Sequence, residues 1–250
     1  MSTKVARVLR PHDAQNLAPY SEDGIPRYTY DFDFSAHGVR ASLDSSLERL
    51  HLEAVDILLV HDSDAKDQHT DDAFIESLEA AVALRAAGRI KAVGMGMNEC
   101  ERTARMVERF DLDCILLAGR YTLLDQPALP QLLPLCLQRG VQVIVGGPYN
   151  SGILARDLDQ PVSFEYQPAP PHLIEKARRL KAVCERHQVE LRAAALQFLF
   201  AHAAVATAVP GAATVAELED NVRMMQVEIP ADLWAELKSE NLLPAAAPTP

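Results

Sequence analysis

The sequence predicts an α/β fold built on a parallel sheet, and three observations carry that expectation. Short apolar runs recur along the chain, at 55–60 (VDILLV), 90–95, 113–118 and 141–146. Between them lie stretches with apolar residues at helical spacing, at 71–88, 98–110 and 126–140. The runs are continuous rather than alternating, which marks strands buried on both faces, as in parallel sheets joined by right-handed helical crossovers.

Taken in order, the opening residues 2–7, with Ser2-Thr3-Lys4-Val5, read as a strand already under way. The long segment 8–34 follows and holds Tyr20, Tyr28 and Tyr30 of the six tyrosines. A loop of that length without elements of its own is more often functional than idle. A helix is expected over 35–50, with Ser35 as N-cap and Val39, Leu43, Leu47 and Leu50 on one stripe. The strand 55–60 leads into the helix 71–88, where Phe74, Leu78 and Val82 share a face, Asp71 and Asp72 lie in the first turn, and Gly88 follows the end. Strand 90–95, helix 98–110, strand 113–118, helix 126–140 and strand 141–146 repeat the alternation. An irregular, Pro-rich stretch spans 148–172, and strand 205–209 precedes a helix at 214–225. Residues 1–242 are expected to form one domain and 243–250 to be a flexible, frayed tail. Six such strands give either an open sheet or a (β/α)8 barrel short of two.

The 250 residues are 48% hydrophobic with 11 glycines, which describes a chain with a sizeable core. A net charge of −11 argues against a nucleic-acid partner. No basic amphipathic stretch and no apolar run of membrane-span length is present, so no membrane partner is expected. The four cysteines, Cys100, Cys114, Cys136 and Cys184, are scattered without a C-x-x-C pair and read as reduced thiols. The expectation is a cytoplasmic protein, and its oligomeric state is not encoded in any visible pattern.

In parallel α/β proteins reactive groups gather at the C-terminal ends of strands. Four exits stand out: His61 after the strand 55–60, Asn98 after two glycines, the loop 146–154, and the turn at 210–221. Each has a plain structural reading beside it. Lys4 can be an edge lysine shielding an exposed strand, and His61 a satisfied core histidine. Asn98 can cap its helix. Thr214 and Glu217 form a T-x-x-E capping box that by itself explains both. The run Asp62, Asp64, Asp67, His69, Asp71 and Asp72 lacks ligand spacing, so it reads as a solvated acidic loop and no metal is expected.

The stretch YDFDFSAHGVRASLDSSLERLHLEAVDILLVHD (30–62) resembles the aldo-keto reductase superfamily. AGRIKAVGMGMNE, LLAGRYTLLDQ, PYNSGIL and VPGAATVAELEDN continue the resemblance in order, over residues 2 to about 242. It is most similar to the branch with D-threo-aldose, L-fucose and L-galactose dehydrogenases and pyridoxal 4-dehydrogenase. The resemblance implies a TIM (β/α)8 barrel and hydride transfer between a nicotinamide cofactor and an aldose hemiacetal or carbonyl. It implies catalytic roles for Lys4 and His61, a strand-borne lysine and an orienting histidine. It further implies that Lys4 lies on the third barrel strand, so the chain is expected to be N-terminally truncated, without the βα units that hold the family's aspartate and tyrosine. A tyrosine replacement by Tyr28 or Tyr30 has no support in the spacing, and little turnover is expected. The cofactor contacts implied are Asn98, Pro148, Asn150, Ser151, Gly152, Leu154, Gly211, Ala212, Thr214, Glu217, Asp220 and Asn221. Gly146 stands where the family carries a ring-stacking tyrosine. Gly211 and Glu217 replace the basic side chains of NADP users, so NAD is expected, with NADP as the alternative. A non-catalytic dinucleotide-binding or protein-interaction module is the rival reading, and a metal hydrolase a more distant one.

Overall fold

The structure, a computed structural model, describes residues 1–11, 28–61, 71–165 and 167–250. Tyr20, Tyr166 and the loop positions Asp62, Asp64, Asp67 and His69 lie outside the described residues. In chain order the elements are β1 (Ser2–Val5), β2 (Arg7–Pro11), β3 (Tyr28–Phe32), α1 (Ala36–Leu50), β4 (Ile57–His61), α2 (Asp71–Ala86), β5 (Ala92–Gly96), α3 (Cys100–Arg109) and β6 (Cys114–Ala118). There follow α4 (Leu132–Arg139), β7 (Gln142–Gly146), β8 (Ser163–Phe164), β9 (Gln167–Pro168), α5 (Pro171–Arg186), α6 (Leu191–Leu199), β10 (Val205–Val209), α7 (Val215–Met224) and α8 (Ala231–Ser239). Six strands form one sheet in the order β1-β4-β5-β6-β7-β10. This is the parallel α/β arrangement of TIM-barrel type that the alternation of elements predicts. The chain divides into two compact units, Met1–Met97 with Glu108–Ile115, and Asn98–Val107 with Leu116–Pro250.

In the first unit β1 pairs in parallel with β4, Lys4 facing Leu59, and β4 with β5, His61 facing Gly96. Apolar residues fill this unit because both strand faces are covered: Val5, Leu58, Leu59, Val60, Val93 and Met95 are buried, with Val39, Leu43, Phe74 and Leu78 from α1 and α2. Burying each such Leu or Phe side chain contributes about 1.5–3 kcal/mol. Gly94 allows β5 and β6 to approach, since a Cβ there would meet the Cys114 carbonyl at 2.5 Å. The Asp113 carboxylate accepts the Val93 N–H at 2.7 Å and is paired with Arg85, holding the end of α2 at the start of β6.

Four expectations are corrected here. The opening strand 2–7 is interrupted at Ala6, whose φ of 84° turns the chain out of the parallel sheet. The segment 8–34 has structure of its own, because β2 and β3 pair antiparallel with Arg7 opposite Phe32 and Leu9 opposite Tyr30. Leu50 is exposed, since α1 turns at His51 in a left-handed C-cap and the stripe ends with Leu47. Ser35 does cap α1, accepting from Gly38 N at 3.1 Å while Asp33 holds the Ser35 hydroxyl at 2.6 Å. The helix expected at 126–140 begins only at Leu132. Pro127 and Pro130 donate no backbone hydrogen bond, and residues 127–131 turn instead.

In the second unit β10 pairs in parallel with β7, Val209 opposite Gly146. The Gly119 N–H reaches the Gly146 carbonyl at 3.0 Å, joining the end of β6 to the end of β7. Tyr121, Phe198 and Trp234 form a buried ring cluster, with centroids 5.0 Å apart for Tyr121–Phe198 and 6.4 Å for Phe198–Trp234. The side chain of Gln197 on α6 donates to the carbonyls of Met224 and Val227, both at 2.8 Å, and ties down the end of α7. In the 148–172 stretch β8 and β9 form a short hairpin. Of the residues expected to fray, Leu243 and Ala247 are buried. No helix among the described residues is long and apolar enough to cross a membrane.

Candidate active site

His61 is the last residue of β4, and its packing explains the second glycine of Gly94-Met95-Gly96. Gly96 is its register partner, and a Cβ there would lie 2.6 Å from His61 Cδ2, so the ring occupies the space a side chain would take. Burial pushes the imidazole down to about 4, and the charges of Lys4 and Arg7 push in the same direction. The ring is therefore neutral near pH 7, able to donate from one nitrogen and accept at the other. Lys4 sits on β1, two registers before His61 on the neighbouring strand. β1 ends the strand order, and Lys4 is exposed by area. Its ammonium is still desolvated enough, beside Arg7, for its pKa to lie below the usual lysine value. Among the described residues no carboxylate pairs with it. Lys4 and His61 are thus brought together.

Arg7 is a member of this group that the sequence reading missed. Its charge acts on both Lys4 and His61, and its guanidinium lies 4.5 Å from the Tyr30 ring centroid and 5.5 Å from that of Phe32. No local pattern marks it, because Tyr30 and Phe32 reach it only through the β2–β3 pairing.

The second unit holds the residues implied for the cofactor. Ahead of α3 the Glu99 carbonyl accepts from Thr103 N, and Asn98 Oδ1 accepts from Ala118 N at 3.2 Å. Beyond β7 the chain coils tightly, with Asn150, Ser151 and Gly152 all at positive φ. Pro148 and Leu154 are buried, Ser151 is exposed, and the Leu154 N–H donates to the Tyr149 carbonyl at 3.2 Å. Asn150 is buried, and its Oδ1 lacks a hydrogen-bond partner among the described residues. A buried carbonyl oxygen left open in this way is suited to a ligand donor.

Gly211 and Ala212 are exposed ahead of α7, and a Cβ on Gly211 would meet nothing within 4 Å. The capping box is formed: Thr214 Oγ1 accepts from Glu217 N at 3.2 Å, and Glu217 accepts from Ala213 N at 2.6 Å. Asp220 is engaged by Arg192 and by Arg223. Asn221 Oδ1 accepts the Tyr149 hydroxyl at 2.8 Å, so the loop after β7 is tied to α7. Burial pushes the Tyr149 phenol up to about 12, which keeps it a donor. The tie of Tyr149 to Asn221 and that of Arg192 to Asp220 are not legible in the sequence, because the partners lie 72 and 28 residues apart. Gly146 lies against β6, where a Cβ would be 3.3 Å from that of Ala118.

The four cysteines are free, and burial pushes the thiols of Cys114, Cys136 and Cys184 up to about 11, 12 and 12, so they remain protonated. No group of three or more His, Cys, Asp or Glu among the described residues is placed to hold a metal ion. The open Asn150 carbonyl and the bare backbone at 211–212 fit a dinucleotide.

The model of the Aldo/keto reductase family matches residues 2–241. The chain is 37% identical over 249 residues to D-threo-aldose 1-dehydrogenase of a Pseudomonas species, covering 98% of this chain and 75% of that protein. It is 36% identical to pyridoxal 4-dehydrogenase of Microbacterium luteolum, covering 97% and 76%. Among solved structures, an aldo-keto reductase from Bacillus halodurans in its holo form shares the fold, with a TM-score of 0.69 at 24% identity over 86% of this chain and 70% of that one. The chain belongs to the aldo/keto reductase family, and on that footing it is an oxidoreductase of the nicotinamide-dependent kind.

Proposed function

We propose that the chain is an aldose dehydrogenase that prefers NAD. Its substrate is a cyclic sugar, oxidised at the hemiacetal carbon to a lactone, or reduced as a carbonyl in reverse. The observation that carries this reading is the neutral imidazole of His61 at the exit of β4 beside Lys4. A neutral ring donates one hydrogen bond to the substrate oxygen and polarises the carbon beneath it. The two relatives named for aldose and pyridoxal dehydrogenation, at 37% and 36% identity, support the substrate class.

The dinucleotide is held by Asn98 at the nicotinamide carboxamide, by Pro148, Asn150, Ser151, Gly152 and Leu154 along the loop after β7, and by Gly211, Ala212, Thr214, Glu217, Asp220 and Asn221 at α7. When bound, the nicotinamide accepts or donates the hydride. The Glu217 carboxylate stands at the exposed start of α7, where it repels a 2′-phosphate and favours NAD.

A second reading, binding without turnover, is favoured by the tyrosines. Tyr121 is fully buried in the ring cluster, and the Tyr149 hydroxyl is committed to Asn221, so neither is free to exchange a proton with a sugar. Titration with NADH, followed by fluorescence, and an L-fucose oxidation assay on the same sample separate the two readings. Turnover that falls on His61→Phe substitution supports the enzyme. Tight NADH binding with no sugar oxidation supports the module.

A further inference from the structure

Within the second unit one arginine grips the residue proposed to meet the nicotinamide. Arg120 follows β6, and its Nε donates to the Asn98 backbone carbonyl at 3.0 Å. Two residues earlier, at the end of β6, the Ala118 N–H donates to Asn98 Oδ1. Asn98 is therefore held by its main chain and its side chain from a single short segment. The guanidinium is in turn paired with the Glu165 carboxylate, and the arginine side chain is only 23% exposed. Glu165 lies at the turn between β8 and β9 with a φ of 51°, a left-handed conformation that two-residue hairpin turns demand but that a residue with a Cβ adopts at some strain. Glu165, directly after β8, thus presents its carboxylate to Arg120. The charge of Arg120 also reaches Asp125 and Cys100, and the charges of Lys176 and Glu165 act on Asp125 too.

We propose that Arg120 is a positioning residue for the nicotinamide end of the cofactor: it fixes Asn98, and Glu165 fixes Arg120. The proposal rests on the reading of Asn98 given under Proposed function. Its physical basis is preorganisation. A charge-assisted hydrogen bond to the main chain removes freedom from a loop residue that must otherwise be ordered when the ligand binds. The adenosine end, held at α7, makes no use of this link.

The test compares NADH with ADP-ribose, which lacks the nicotinamide, on the whole chain and on Arg120→Ala, Arg120→Lys and Glu165→Gln. Circular dichroism establishes that each variant is folded. Arg120→Ala is expected to lose about tenfold in NADH affinity, the loss typical of a hydrogen bond to a charged group, while ADP-ribose affinity stays within about twofold. Arg120→Lys recovers part of the loss because a cation still faces Glu165, and Glu165→Gln shows a smaller loss of the same selectivity. Unchanged NADH affinity in Arg120→Ala overturns the proposal, and so does an equal loss for both ligands, which marks a purely structural role. A wild-type chain that binds neither ligand removes the underlying functional reading and this proposal with it. A wild-type chain that binds NADH no better than Arg120→Ala removes this proposal alone.

Discussion

The imidazole of His61 lies over Gly96 so closely that a methyl group on that glycine would come within 2.6 Å of Cδ2. The two residues are register partners on β4 and β5, so the placement is set by strand pairing, not by a flexible loop. Gly96→Ala is expected to push the ring off its seat. Overpacking of this kind costs about 1–3 kcal/mol, and the displaced ring should lose its low pKa. Histidine titration by NMR checks this: a His61 pKa that stays near 4 in the variant would contradict the packing argument.

The depressed pKa of His61 also makes stability depend on pH. The folded state holds the ring near 4 against an ordinary value of 6.5, so between those two values the unfolded chain binds more protons. Stability is therefore complete above about pH 6.5 and is lost as pH falls toward 4. For a half-buried ring, with solvent screening allowed for, the loss is of the order of 2 kcal/mol. Urea unfolding at pH 7 and pH 5, on the wild type and on His61→Phe, measures it. The slope between these pH values should flatten in the variant.

Asp113 carries a load out of proportion to its position. It accepts from the Val93 main chain and from Arg85, whose other arm reaches the Asp111 carbonyl at 3.0 Å. Asp113→Ala strands the Val93 N–H and leaves the Arg85 guanidinium to Asp111, a change expected to lower stability by about 1–3 kcal/mol. Thermal unfolding of the variant reads this directly, and an unchanged midpoint would mean that water replaces both bonds.

Untying the loop after β7 from α7 is a separate experiment. Tyr149→Phe removes the hydroxyl that donates to Asn221 and leaves the ring in place. A net neutral hydrogen bond contributes roughly 0.5–1.5 kcal/mol. If the tie preorganises both walls for the dinucleotide, affinity for ADP-ribose drops about fivefold, beside a loss of stability no larger than that one bond. Calorimetric titration gives the number, and an unchanged affinity would leave the tie with no part in binding.

What was legible in the sequence follows the range of the interactions concerned. The strands around Leu58, Val93, Ile115 and Val143 announce themselves because burial on both faces requires continuous apolar residues. Ser35 and Thr214 were readable as caps because their partners lie three residues away. The β2–β3 pair was not, since Leu9 meets Tyr30 across a long intervening stretch. Ala6 gives no warning either: a non-glycine residue at positive φ is imposed by what surrounds it. Helices α5, α6 and α8 were missed for different reasons. α6, Leu191-Arg192-Ala193-Ala194-Ala195-Leu196, is apolar nearly all round and shows no period. α5 carries a proline at its first turn, a start signal present in the sequence but not used. In the candidate site, His61 stood out at a strand exit, whereas Lys4 was singled out only by the resemblance. Arg7, Arg120 and Arg192 were not, because an arginine is marked as functional only by what it reaches.

The proposed preference for NAD rests on one exposed carboxylate, that of Glu217. Glu217 accepts the Ala213 N–H, so its charge is fixed at the start of α7, where the backbone at 211–212 is open. A 2′-phosphate brought there meets like charge, whereas a free ribose hydroxyl meets an acceptor. Glu217→Gln keeps the capping oxygen and removes the charge, so helix stability should hardly change. NADPH affinity is then expected to rise about fivefold relative to NADH at low salt, and the gain should shrink in 0.5 M salt as screening takes over. Parallel titrations with both dinucleotides at two ionic strengths check this. A ratio that ignores both the substitution and the salt would place the 2′-position away from Glu217.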